Sequence, residues 1–434
     1  MDWLFLLGIA IFFIGLMASI GLHEIGHLVP AKLFGIKVTQ YMVGFGPTMW
    51  SRRKGETEYG VKWIPLGGYI RMIGMLPPKP GEDPGKLRGG STGPFQALIE
   101  QAREVALEEV RPGDENRVFY RKKWWQKVIV MSGGPAMNFV LAFILYALLL
   151  VGIGVPTYAP VVSPETNTCV IPISEHRTEC RPGDQPTPAS QAGLKAGDKL
   201  VALDGHKIET WEDATRVIRS HGAGPAELAI IRDGRPMTLQ TTLIAQDRPK
   251  PGEPDVIEKN VGFLGVLPTE VMQQQSFGAV FPYMAELTGR VAVSLVNLPE
   301  KMVGVWDAAF SGAERDPEGP VGVVGAGRMG GEILASDLTG VQKLFVFVNL
   351  LAGFNLAIGM FNLIPLLPLD GGHIAGGLWE GLKRAWARIL RRPEPSYVDI
   401  AKVLPLTYAL AIVMIVMAGL LVYADLINPL RLTG

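Results

Sequence analysis

WLFLLGIAIFFIGLMASIGLHEIGH, residues 3–27, runs twenty uncharged residues straight into His23-Glu24-Ile25-Gly26-His27. About twenty apolar residues in a helix match the thickness of a bilayer's hydrocarbon core. On that helix, positions 23 and 27 project from one face, so both imidazoles can reach a single metal ion. Glu24 lies close enough to take a proton from a water held there, the arrangement that H-E-x-x-H supplies to zinc peptidases. A membrane core selects against ionisable side chains that have no work to do in it. The competing reading is a solvated helix end with chance histidines, although these are two of only six in the chain.

The remaining composition fits a membrane enzyme with an appended soluble part. The chain has 434 residues, 48% hydrophobic and 19% charged, with zero net charge, so nothing in its balance points to nucleic acid. Three further apolar segments qualify as spans, at about 128–154, 344–367 and 403–424. Gly133, Gly134, Pro135 and Asn138 predict that the helix of the second is interrupted. The first segment lacks a basic leader and reads as retained rather than as a cleaved signal.

Basic residues set the expected orientation. Arg52, Arg53, Lys54, Lys62, Arg71 and Arg121–Lys123 fall between the first two spans, and Lys383 to Lys402 supplies a second cluster. Both read as cytoplasmic by the positive-inside rule, which puts 155–340 and both termini outside. Cys169 and Cys180 are the only cysteines and fall in that outside region. Their spacing suits a small disulfide loop, with two free thiols as the alternative. Catalytic zinc usually takes three protein ligands. Of the other histidines, His176, His206 and His221 lie on the wrong side. Asp370 and His373, in NLIPLLPLDGGH at 362–373, lie at the depth of His23 and His27, with a capping role as the alternative for Asp370.

Between the spans, 42–75 alternates as a hairpin, with Gly55 at its turn and Gly67-Gly68 after Pro65. An exposed strand edge there can hold an unwound substrate, with an ordinary cytoplasmic hairpin packed on the helices as the alternative. Breakers at Pro77-Pro78-Lys79-Pro80, Asp83-Pro84-Gly85 and 89–94 predict a loop, followed by a polar helix at about 95–110. In the outside region, paired Gly193 and Gly197 precede a strand and the Asp204-Gly205 turn. A helix over 211–220 and strands 226–232 and 236–244 around Asp233-Gly234 follow. That order resembles a PDZ domain, which either captures a peptide or only blocks access. The stretch 276–310 suits amphipathic helices on the outer membrane face, and the glycines after 319 suit a loop.

HEIGH at 23–27, GGPAMNF at 133–139 and NLIPLLPLDGGH at 362–373 together resemble the site-2 protease family of intramembrane zinc metalloproteases. The likeness is nearest to the bacterial regulator-of-sigma-E type, here with a single PDZ domain. The resemblance implies His23, His27 and Asp370 as metal ligands, Glu24 as general base and Zn2+ as cofactor. It also implies substrate handling by Asn362 and Asn138, the latter in a G-P-x-x-N element with Gly134 and Pro135. The β-loop carrying Gly67 and Gly68 would hold the substrate in extended form.

The expected fold is a polytopic α-helical membrane protein with four transmembrane helices, a membrane-associated β-loop and an extracytoplasmic α/β PDZ domain. Its parts are a first transmembrane helix with HEIGH (1–35), the β-loop (36–76), a cytoplasmic loop (77–123) and a second transmembrane helix (124–156). Then come the PDZ domain (158–247), an amphipathic region (270–340), a third transmembrane helix with a metal ligand (341–373) and a fourth (400–425). The implied protein sits in the plasma or inner membrane with its active site toward the cytoplasm. It would cut a single-pass membrane protein, an anti-sigma factor or a signal-peptide remnant, after an upstream site-1 protease has trimmed it outside. A non-enzymatic scaffold displaying a PDZ domain is the alternative, but it leaves four chemistry-bearing residues at one depth unexplained. A metal transporter would need more ligands along its path.

Overall fold

The computed structural model describes residues 3–78, 94–171, 177, 179–317, 319–393, 395, 397 and 398–430. The breaker-rich part of the expected cytoplasmic loop at 79–93, and His176, lie outside the described residues. The chain forms two compact units, 1–152 with 276–434, and 153–275.

In the first unit, α1 (Trp3–Leu33) leads into the antiparallel pair β1 (Val38–Lys54) and β2 (Thr57–Met72), turning at Gly55, whose φ of 65° suits glycine. Both strands bend midway. Residues 38–43 therefore pair with 57–61 on one side and with 68–72 on the other, while 48–54 pair along the far side of 57–62. The hairpin thus becomes a four-stranded layer with 68–72 as one edge, held to α1 by the Tyr41 hydroxyl donating to the Gly21 carbonyl at 2.8 Å.

After α2 (Pro94–Glu108), α3 (Trp124–Ala147) runs unbroken through Gly133, Gly134 and Pro135, continuing as a π-helical turn to Ile153. The expected interruption does not occur. Its glycines serve close packing instead: a Cβ on either Gly26 or Gly133 would overlap the carbonyl oxygen of the other, so the two helix backbones touch.

The second unit is a seven-stranded sheet. Its elements are β3 (Val155–Val162), α4 (Pro188–Gln191), β4 (Lys199–Leu203), β5 (His206–Lys207), α5 (Trp211–His221), β6 (Gly224–Arg232), β7 (Arg235–Lys250), β8 (Glu253–Phe263) and β9 (Pro268–Gln273). The strand order is β8-β7-β6-β4-β3-β9, with β5 beside β4. Leu200, Leu203, Leu228, Ile230 and Leu243 alternate inward from these strands onto Ala214 and Ile218 of α5. The sheet continues past residue 247, because β8 and β9 complete it. Cys169 and Cys180 are joined by a disulfide.

Back in the first unit, α6 (Val280–Val296), α7 (Leu298–Phe310) and α8 (Val323–Ala335) precede α9 (Gly340–Asn362), α10 (Asp370–Ile389) and α11 (Leu404–Ile427). The glycines expected as a loop build α8, where Gly330 and Gly331 allow backbone contact with Gly8 and Phe5 of α1. Among the described residues, five helical stretches are long and apolar enough to cross a membrane, one more than expected: Trp3–Leu33, Trp124–Ile153, Phe277–Val296, Gly340–Asn362 and Ile400–Ile427. The third apolar segment ends at Asn362, short of 373. Pro365 and Pro368, two prolines within four residues, disfavour further helix, and the chain turns into α10.

Candidate metal centre

Three side chains converge where α1, α3 and the start of α10 meet. One helical turn puts His23 and His27 side by side, with their Nε2 atoms 3.2 Å apart. Asp370, the first residue of α10, directs Oδ2 at both, 3.4 Å from His23 Nε2 and 3.3 Å from His27 Nε2. The N-cap position of α10 is Leu369, one residue earlier, so Asp370 does not stand where a capping side chain would. Ligands about 2.0–2.1 Å from a tetrahedral zinc are separated from one another by roughly 3.3–3.4 Å. The three atoms already stand near that spacing and form a group able to hold a metal ion.

Two features fit an ion rather than a polar cluster closed on itself. Asp370 Oδ2, the atom aimed at both imidazoles, is buried and lacks a well-formed hydrogen bond, a costly state unless a further partner binds. Gly134 faces the pair, and a Cβ there would overlap His27 Nε2 and come within 2.6 Å of His23 Nε2. The fold therefore reserves that volume. His27 Nδ1 lies 2.8 Å from the Val130 carbonyl oxygen; donating a proton to it leaves the Nε2 lone pair facing the centre.

Glu24, Asn138, Asn362, Gly67 and Gly68 all line one cavity of about 580 Å³ with His23, His27, Asp370 and His373. Asn138 is buried with its Oδ1 unpaired. A Cβ on Gly68 would sit 3.0 Å from Glu24 Cγ and 2.9 Å from Ile20, so glycine lets the 68–72 edge approach α1 this closely. The cavity mixes an apolar wall with a few convergent polar groups, the usual character of a substrate site.

His206 is exposed and His221 pairs with Asp204 at 2.9 Å; both belong to the β-rich unit, and neither lines this cavity. Reading the sequence missed Gly134 as the cradle. It also missed Asn355, fully buried on α9, which donates to the Ser19 hydroxyl at 3.0 Å and ties α9 to α1 one turn before His23. An amide in the middle of an apolar stretch, LLAGFNLAIGMF at 350–361, was the available signal.

Residues 11–392 match the family described as peptidase family M50. The chain is similar to the zinc metalloprotease Rip1 of Mycobacterium tuberculosis (strain H37Rv), 33% identical over 441 residues and 99% of each chain. It is also similar to the regulator of sigma-W protease RasP of Bacillus subtilis, 26% identical over 81% of this chain and 85% of that one. The metalloprotease MmpA of Caulobacter vibrioides is 26% identical over 85% of each. The chain belongs to peptidase family M50, the site-2 proteases; it is a zinc metalloendopeptidase, and its cofactor is Zn2+.

Proposed function

We propose that this M50 peptidase cuts a single-pass membrane protein within its transmembrane segment, with His23, His27 and Asp370 as zinc ligands and Glu24 as general base. The observation that carries the reading is the close triangle of His23, His27 and Asp370 with Glu24 on the same helix. Bound there, zinc supplies Lewis-acid polarisation of a water and of the scissile carbonyl. Glu24 accepts the water's proton as its oxygen attacks the carbonyl carbon, then delivers a proton to the leaving nitrogen as the C–N bond breaks. Asn138 and Asn362 hold the substrate backbone from α3 and α9. The outer edge at 68–72, with Gly67 and Gly68, pairs with the substrate after it unwinds, because a helix keeps its own carbonyls hydrogen-bonded.

The basic clusters support an active site facing the cytoplasm, with the β-rich unit outside and acting as a PDZ domain. Four helices would then cross and α6 would lie along the outer face. The substrate class is a membrane protein already shortened outside by a first protease, an anti-sigma factor or a signal-peptide remnant. That RasP is named a regulator of sigma-W protease supports the first. Glu24→Gln in proteoliposomes is expected to keep zinc and lose cleavage by roughly 10²–10⁴-fold. Near-normal cleavage by that variant removes Glu24 from the mechanism.

A further inference from the structure

Helix α10 starts at the metal centre and then leaves it with two very different sides. One side is packed on α3. Gly381 lies under the Trp124 ring, Gly377 meets Val128, and the buried Glu380 accepts from Lys127 Nζ at 2.7 Å. The opposite side carries Leu378, Trp379, Leu382, Trp386 and Ile389, which stepping by 100° per residue gathers into one stripe. These five are 51–75% exposed. Beyond the stripe, Arg388, Arg391 and Arg392 are exposed and pair with no described acidic side chain.

An apolar stripe this wide would be a liability in water. The helix that α10 packs on, α3, itself begins a candidate span, and its Trp124, Trp125 and Ile129 are 36–45% exposed. Tryptophans grouped with arginine and lysine at the end of a span mark the headgroup level of a bilayer. α10 has the composition of a helix lying in that plane rather than crossing it: apolar and aromatic on one face, with a cluster of basic residues at its end.

We infer that α10 is an interfacial helix whose Leu378–Ile389 stripe lies in the membrane surface and whose Arg388, Arg391 and Arg392 engage anionic phospholipid headgroups. This rests on the membrane-spanning reading above. Because Asp370 is the first residue of α10, the lipid surface helps to orient one metal ligand, and headgroup charge becomes an input to the enzyme.

The two native cysteines are bonded to each other, so one introduced thiol labels uniquely. Spin labels at Leu382→Cys and, as a reference in the middle of α11, Ile412→Cys are compared in proteoliposomes of phosphatidylcholine with and without phosphatidylglycerol. With phosphatidylglycerol, the Leu382 label is expected about 5–10 Å below the phosphates, shielded from aqueous nickel and shallower than the Ile412 label. Adding Arg388→Gln, Arg391→Gln and Arg392→Gln should raise the Leu382 label toward water, and should lower cleavage in these vesicles but not in detergent. A nickel-accessible Leu382 label beside a shielded Ile412 label overturns the inference alone. A Leu382 depth indifferent to both phosphatidylglycerol and the arginines overturns the headgroup contact. A nickel-accessible Ile412 label overturns the spanning reading and this inference with it.

Discussion

At the scale of single residues, the centre depends as much on a missing side chain as on those present. Gly134→Ala would put a methyl group where the two Nε2 atoms converge. The expected outcome is loss of bound zinc from a folded protein, measured by metal analysis; full zinc content would show that α1 and α3 can separate to make room. Asp370→Ala should also lose zinc and His373→Ala should retain it, which decides between two candidates three residues apart. Asp198 in the β-rich unit gives a pH signature. Burial pushes its pKa up, but two hydrogen bonds from Arg232, at 2.6 and 2.7 Å, and one from the Lys195 amide, at 2.8 Å, outweigh this and hold it below the usual aspartate value. A lowered folded value means that the carboxylate stabilises the unit above its unfolded pKa, and that this stability is lost as pH falls through the folded value. Asp198→Asn should cost about 1.5–3 kcal/mol at neutral pH and flatten the acid limb of the unfolding curve, read by hydrogen exchange over 199–203. An unchanged acid limb would remove Asp198 from that role.

At the scale of elements, glycine contacts and buried polar links join the helices alongside apolar clusters such as Phe12, Leu16 and Ala326, as expected where lipid is as apolar as leucine. The clearest link is Arg315 to Asp425, 2.7 Å apart with both side chains nearly inaccessible. Asp425 also accepts from the Gly325 amide at 2.8 Å, so one carboxylate joins α11, the 311–322 segment and the first turn of α8. Asp425→Ala leaves Arg315 buried without its partner and is expected to destabilise the first unit by about 3–5 kcal/mol, seen as a lower thermal midpoint. Arg315→Met with Asp425→Ala should recover most of it. A double variant as unstable as the single one would mean that the amide contact, not the charge pair, holds the joint.

At the scale of the whole molecule, β3 and β9 pair antiparallel, Val155 opposite Gln273, so the β-rich unit leaves and re-enters the chain at adjacent points. Excising 155–273 therefore joins neighbouring ends. The shortened enzyme is expected to cleave a full-length substrate nearly as well as a pre-trimmed one, while the intact enzyme prefers the trimmed form. Equal discrimination by both would move the filter to α6, α7 or the hairpin.

The sequence by itself determined what depends on neighbours along the chain. The apolar runs, the i, i+4 histidines, the hairpin turn at Gly55 and the alternating strands with the helix over 211–220 are all local periodicities, and each is legible without a partner. Tertiary structure decided what depends on partners far away. Gly133 and Gly134 read as breakers, because glycine weakens an isolated helix, yet in place they are where α3 meets α1 and the histidines. The glycines of α8 misled in the same way. Asp370 and His373 could not be separated on spacing alone, since both follow the same prolines. Only the turn that ends α9 and starts α10 aims the Asp370 carboxylate at His23 and His27 and leaves His373 on the cavity wall.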